Sequence, residues 1–436
     1  MSDSQRLLHL NLFGLGTGRH EASWRHPTTD PLASSWFDSI LEMAKLAERG
    51  KFDALFLADS LWAGPITPYS LRNGLEPLTL LSALAVSTEH IGLIGSVSTS
   101  FTEPFNTARQ LASLDHLSGG RAGWNIVTSS ESASAFNFGA DDHLPHDIRY
   151  DRATEFIDVA LALWDSWQDG AIVADKGSGI YADTSKVRQI DHAGEHFHVR
   201  GPLNIARSPQ ERPLLVQAGT SEPGRTLGAR YADGIFTAQP SLPGAQELYA
   251  DFRRRVVQEG RQPDDLKILP GVCPVIGGTE AEARELLEEL NELAVPEFGL
   301  ASLKNITGID LSHVPLDDLV PADAGDEAGF QGLTSRRNVA IDMARQNKLT
   351  VRQLLHRFAA GFGHRIVLGT PEQIADEMEH WFVNGGADGY NVMPMLNPEG
   401  LVAFVEHVVP ELQRRGIFRH EYSGTTLREH YAQVAP

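Results

Sequence analysis

The chain holds one cysteine, Cys273, in 436 residues. A single thiol excludes internal disulfides and any zinc site built on several cysteines. Hydrophobic runs are short too. The longest mostly apolar stretch, around 78–86, covers about nine residues, where a membrane-spanning helix needs about twenty. Positive charge is scarce: 37 Lys and Arg against 57 Asp and Glu leave a formal charge of −20. That balance argues against a nucleic-acid partner or an anionic membrane surface. The opening residues, MSDSQRLLHLNLFG, lack a basic segment followed by an apolar stretch and a small-residue cleavage site. No secretion signal is read there, and a cytoplasmic location is expected.

What is present is ordinary for a globular protein. Hydrophobic residues make up 42% and charged residues 22%, which excludes wholesale disorder. β-Branched apolar runs at 8–13, 52–57, 91–97, 122–127, 213–217, 234–236, 266–272 and 389–392 read as strands. Helical patterns fall between most of them, at 36–49, 77–87, 107–117, 149–167, 222–231, 246–258, 280–293, 371–384 and 401–415. Ser35 with Asp38 reads as a capping pair for the first helix. Alternation implies parallel strands with right-handed crossovers. Eight such units predict an α/β fold, a (β/α)8 TIM barrel, with a doubly wound sheet as the alternative. Residues 169–212 and 295–365 do not fit a minimal barrel and read as insertions on one domain. The tail, 417–436, is polar and is expected on the outside or against a second subunit.

In a parallel barrel, functional side chains sit where strands end. Asp59, Ser98, Thr99, Asn125, Thr128 and Ser221 occupy such places. Each alone reads as a turn or cap residue; together they point to a polar ligand pocket. Gly219-Thr220-Ser221-Glu222-Pro223-Gly224 places a Gly-rich turn at a helix start, where free N–H groups suit a phosphate, or Ser221 merely caps. His146 and Tyr150 stand at the start of the long fourth-unit helix, facing an anion or serving as cap and packing residues. Gly14-Leu15-Gly16-Thr17-Gly18 lacks the spacing of a dinucleotide fingerprint and reads as an active-site loop. His192, Glu195, His196 and His198 alternate like a strand, so a hairpin with surface histidines is expected there and no metal.

Several stretches carry a family likeness: HEASWRHP at 20–27, FDALFLADS at 52–60, STSFTEPFNTARQLASLDHLSGGRAGWNIVTS at 98–129, HDIRYDRA at 146–153, GPL at 201–203 with SPQ at 208–210, QAGTSEPG at 217–224, GTPEQIAD at 369–376 and VPELQRRGIFRHEYSG at 409–424. The chain resembles the bacterial-luciferase-like flavin monooxygenases, in the group containing nitrilotriacetate, EDTA and dibenzothiophene-sulfone monooxygenases. The resemblance implies a luciferase-like (β/α)8 barrel with insertions. It also implies a two-component monooxygenase that uses reduced FMN (FMNH2) from a separate NAD(P)H:flavin reductase. With O2 as cosubstrate, such an enzyme oxygenates a small organosulfur, amine or polycarboxylate molecule through a C4a-peroxyflavin. FMN contacts carried over by motif are Asp59, Thr99, Asn125, His146, Tyr150 and Ser221. His20 is the candidate for the peroxyflavin proton, with His313 and His364 behind it. Trp62, Pro65 and Tyr69 are expected to form an apolar substrate wall, and Arg25 or Arg72 to hold an acidic substrate. A homodimer or homotetramer is expected. Two other readings are an F420-dependent hydride-transfer oxidoreductase on the same barrel and a non-catalytic flavin-binding protein.

Overall fold

A computed structural model describes residues 6–14, 16–33, 36–64, 68–69, 74–129, 131–325 and 334–432. Eight strands form the ring: β1 (His9–Phe13), β2 (Ala54–Leu57), β3 (Gly92–Ser98), β4 (Ala122–Val127), β5 (Leu214–Gln217), β6 (Gly234–Thr237), β7 (Lys267–Ile276) and β8 (Gly389–Val392). Each pairs in parallel with the next, and β8 pairs with β1, so the barrel closes. The helices that position the site are α1 (Phe37–Arg49), α2 (Pro77–Ala85), α3 (Pro104–Ser118), α4 (His146–Trp164), α5 (Glu222–Tyr231), α6 (Leu242–Gln258) and α7 (Glu280–Leu293).

The strand pattern predicts 266–272 for the seventh strand and leaves 365 at the end of an insertion. Instead β7 runs to Ile276, and its upper half pairs with a ninth strand, Arg365–Gly369, outside the ring. Five residues between a loop and a glycine give too short a period to read. The first helix starts at Phe37 with Trp36 in the cap position and no side-chain cap bond; Ser35 lies outside the described residues. The helix expected at 401–415 is broken by a π-turn at Phe404–Val408, just before Pro410. Proline has no N–H to continue the ladder, which favours such a bulge.

The described part of the tail is exposed at His420, Glu421, Ser423 and Thr425 but does not lie wholly on the outside. Helix 427–432 closes the bottom of the barrel, with Leu427 and Tyr431 buried one turn apart on its inner face. Glycines in the lowest interior layer make room. A Cβ on Gly92 would lie 2.4 Å from Leu427, and one on Gly234 3.3 Å from Tyr431. The Tyr431 hydroxyl accepts from Asn11 Nδ2 at 2.9 Å. Beside it, buried Asp53 accepts from Leu10 N at 2.7 Å and pairs with His9 and Arg419. Burial alone would raise the Asp53 pKa; the Arg419 guanidinium, with the His9 ring bonded to the carboxyl, outweighs it and holds the pKa at about 2. The polar stretch 420–426 hides the apolar face that follows it.

The first insertion forms an antiparallel pair, Ile172–Asp175 with Ile180–Ala182, and a smaller pair, His192–Ala193 with His198–Val199. Glu155 of α4 anchors the second pair, facing His192 Nε2 at 2.8 Å and accepting from the His196 and Phe197 N–H groups. In the second insertion, helices α8 (Pro296–Thr307), α9 (Thr334–Asn347) and α10 (Val351–Gly361) enclose their own apolar cluster, with Leu303, Leu311, Leu354 and Phe358 buried.

Candidate active site

The best-built part of the rim lies after β5. Ser221 caps α5, its Oγ accepting from Gly224 N at 3.4 Å. Tyr150, one turn inside α4 and mostly buried, brings its hydroxyl to 3.5 Å from Ser221 Oγ. Side chains tilt toward a helix N-terminus, so Tyr150 reaches back over the first turn. His146, in that turn, packs against Tyr150 with ring centroids 4.9 Å apart. A Cβ at Gly219 would lie 2.4 Å from Gln217 Nε2 and 2.8 Å from the Tyr150 hydroxyl, so a side chain there would displace one of these polar ends. Two helix N-termini and two hydroxyls therefore meet over a backbone without side chain, the arrangement that favours a phosphate.

The neighbouring strands add polar groups inside the barrel. Asn125 of β4 donates from Nδ2 to Ser96 Oγ of β3 at 2.8 Å, and its buried Oδ1 has no partner among the described residues. A buried carbonyl oxygen without a donor costs about 1–3 kcal/mol unless a ligand satisfies it. Thr99 is fully buried, its N–H on the Val127 carbonyl at 2.8 Å. Asp59 sits at the rim with Oδ1 on Ser60 N at 2.8 Å. Shielding from solvent, with Glu76 and Glu131 nearby, pushes its pKa up. Tyr150, Ser221 and His146 thus converge, Asn125 and Thr99 lie on adjacent strand ends, and Asp59 stands apart from both at the edge.

The histidines fall differently from expectation. The sequence names His20 as the proton-handling group, but its ring is engaged on both sides within the protein. Nδ1 accepts from Ala22 N at 3.1 Å, and Nε2 faces Asn291 Oδ1 of α7 at 3.3 Å. Burial lowers its pKa to about 4, so the ring is neutral near pH 7. His20 locks its loop against α7. The loop also rests on the β8 exit, where Gly18, at φ +133°, would place a Cβ 2.3 Å from the Met395 carbonyl. His313 is exposed. His364 is buried and stacks on Phe236 of β6 at 5.1 Å. Arg25 is exposed and donates to the Leu293 carbonyl at the end of α7. Trp62 is partly buried and Tyr69 is exposed, while Pro65 and Arg72 lie outside the described residues.

The profile of the luciferase-like monooxygenase family matches residues 14–389. The chain belongs to the luciferase-like monooxygenases. This luciferase-like monooxygenase is 46% identical to N-acetyl-S-(2-succino)cysteine monooxygenase of Bacillus subtilis (strain 168), across 100% of this chain and 99% of that one. It is 46% identical to nitrilotriacetate monooxygenase component A of Aminobacter aminovorans, across 96% and 95%. The crystal structure of a riboflavin lyase with modified FMN and riboflavin superposes with a TM-score of 0.87 at 32% identity, covering 98% of this chain and 96% of that one. The luciferase-like monooxygenase described here is a flavin-dependent monooxygenase, and the F420 and non-catalytic readings give way to that.

Sequence reasoning passed over two groups in this luciferase-like monooxygenase. Arg149 donates to the Ser129 carbonyl, which also lies 2.5 Å from His143 Nε2. Together they fix the loop after β4, where Ser129 holds φ +39°. Arg149 lies inside a quoted motif, so its charge in an otherwise packed helix start was a usable signal. The second group gathers Arg19, Cys273 and Arg336 around His364, which alone of these is named from the sequence. These residues come from three separate regions of the chain, and no local pattern joins them.

Proposed function

We propose that this monooxygenase takes FMNH2 from a separate NAD(P)H:flavin reductase and oxygenates a small organic molecule with O2. The cradle at Gly219 carries the reading. There the Ser221 and Tyr150 hydroxyls and the α5 N-terminus would hold the phosphate, with His146 beside them. Asn125, with its unpartnered Oδ1, and Thr99 are assigned to the ribityl chain and ring, and Asp59 to the rim. The buried aromatic side chains of Phe56 and Phe236 exclude water from the floor. When bound, the reduced flavin supplies the two electrons that send one oxygen atom to substrate and the other to water. His20 acts by position, holding the loop over the mouth. His364 accepts at Nε2 from Arg336 at 2.6 Å and therefore holds its proton at Nδ1, toward the barrel interior.

Ser221→Asp tests the assignment. A carboxylate in contact with a phosphate dianion costs several kcal/mol, on the order of a hundredfold or more in affinity. Tyr150→Phe is expected to cost about 1–3 kcal/mol, the loss of one bond to a charged group. Riboflavin, which has no phosphate, is expected to feel neither change. Equal losses for riboflavin and FMN in anaerobic titrations of the reduced flavins would overturn the assignment.

A further inference from the structure

Some arginines shielded from solvent have their acceptors supplied by the chain, while Arg149, Arg365 and Arg419 leave Nε unpartnered among the described residues but donate to other acceptors. Arg121 donates to the carbonyls of Ala85, Thr88, Ile91 and Ser118 and to the Thr88 hydroxyl. Arg261 donates to the carbonyls of Ala229, Ala232 and Asp265. These are structural roles with the acceptors supplied. Arg19 differs. Its guanidinium lies over the Phe362 ring at 4.3 Å, and its buried Nε has no partner. Its guanidinium also meets the thiol of Cys273, which burial keeps protonated, with a pKa raised to about 11. A neutral thiol neutralises nothing.

Arg336 stands close enough to Arg19 for the two charges to repel. It donates to the Phe362 carbonyl and to His364 Nε2, and no carboxylate among the described residues faces it. His364 adds a buried Nδ1 without a partner, directed over Gly271, where a Cβ would lie 2.3 Å from that nitrogen. Both arginines keep part of their surface accessible, although Arg19 Nε itself is buried. The cluster's supports are the β1 exit, interior-facing β7 and the turn before strand 365–369; β7 is separated by β6 from β5, which leads into the Gly219 cradle, and β1 lies opposite β5. Two unneutralised guanidiniums side by side are costly unless an anion joins them. A chain of charge −20 repels acids at long range, which makes a local cationic pair the means to hold one.

We propose that Arg19 and Arg336, with His364 beside them, seat a carboxylate of the substrate, so that this monooxygenase acts on small organic acids. The planar fork of arginine matches a carboxylate in two-point contact. The inference rests on the proposed function for what happens to the acid, but the binding itself does not require flavin.

Thermal-shift and calorimetric titrations of the full chain with succinate and tricarballylate, each against its methyl ester, test it. Ethane-1,2-disulfonate serves as the tetrahedral anion. At least one acid is expected to bind about tenfold or more tightly than its ester and than the disulfonate, the worth of one charge-assisted contact. Arg19→Gln and Arg336→Gln are expected to lose that acid by a similar factor while FMNH2 binding stays within about threefold. Equal binding of acid and ester, no acid bound, or preference for the disulfonate overturns the carboxylate site. So does loss of FMNH2 binding in folded variants, which would give the arginines to the flavin. Should the variants not fold, the acid–ester comparison on the unaltered chain decides. Acid binding without FMNH2 binding would leave this site standing and remove the flavin reading.

Discussion

His20 and Glu21 are neighbours whose burial pushes their pKa values in opposite directions, to about 4 and about 7. For His20 the unfolded chain takes up a proton near pH 6.5, the fold only near 4. Its contribution is complete above pH 6.5 and is lost as pH falls toward 4. Glu21, raised by burial, contributes below about pH 4.5 and loses that as pH rises through 7. The two cancel in the native enzyme, so the difference between native and His20→Asn isolates the histidine. The stability of the native chain relative to the variant is expected to fall by about 2–3 kcal/mol between pH 7 and pH 4, read from urea midpoints. A difference that does not change with pH would mean that His20 titrates normally. In the same variant, product formed per NADH is expected to hold, whereas His364→Gln is expected to lower it and raise hydrogen peroxide. The reverse pattern returns the proton to His20.

The terminal helix shows an element acting far from the chemistry. Leu427 fills the space left by Gly92 and Gly123 beneath the barrel and is fully buried. Leu427→Ala is expected to cost about 2–5 kcal/mol in urea denaturation while leaving flavin affinity unchanged. A cost under about 0.5 kcal/mol would put the helix on the surface after all. Elements with a full period were legible from sequence: β1 to β6 and helices α1 to α7 all lie within a few residues of expectation. The upper half of β7, strand 365–369 and the plugging helix were not, because each is short and earns its structure from partners distant in the chain. The site divides the same way. Ser221, Tyr150 and His146 sit in contiguous motifs at helix starts, where local chemistry is readable. Arg19, Arg336 and His364 meet only through the fold, and His20 drew attention as an imidazole in a loop before its two bonds were known.

At the scale of the molecule, one barrel mouth divides, under the proposed reading, into a phosphate side after β5 and a cationic side around β7 and β1. No described helix is long and apolar enough to cross a membrane. Among the described residues, the sheets beside the eight-stranded ring are one added strand and two small antiparallel pairs, with no second nucleotide fold to reduce flavin in place. The purified chain is therefore expected to be nearly colourless and to oxidise NADH only when a flavin reductase is added. A yellow preparation with stoichiometric flavin that consumes NADH unaided would contradict that. The central claim is that the mouth holds reduced FMN and shields it. Its most direct test needs no substrate: anaerobic FMNH2 is mixed with excess chain, then with oxygenated buffer, and reoxidation is followed by stopped-flow absorbance. The account predicts a final reoxidation phase slowed about tenfold or more relative to free FMNH2, because the pocket keeps water and bulk proton donors out. A time course identical to that of free flavin would contradict it.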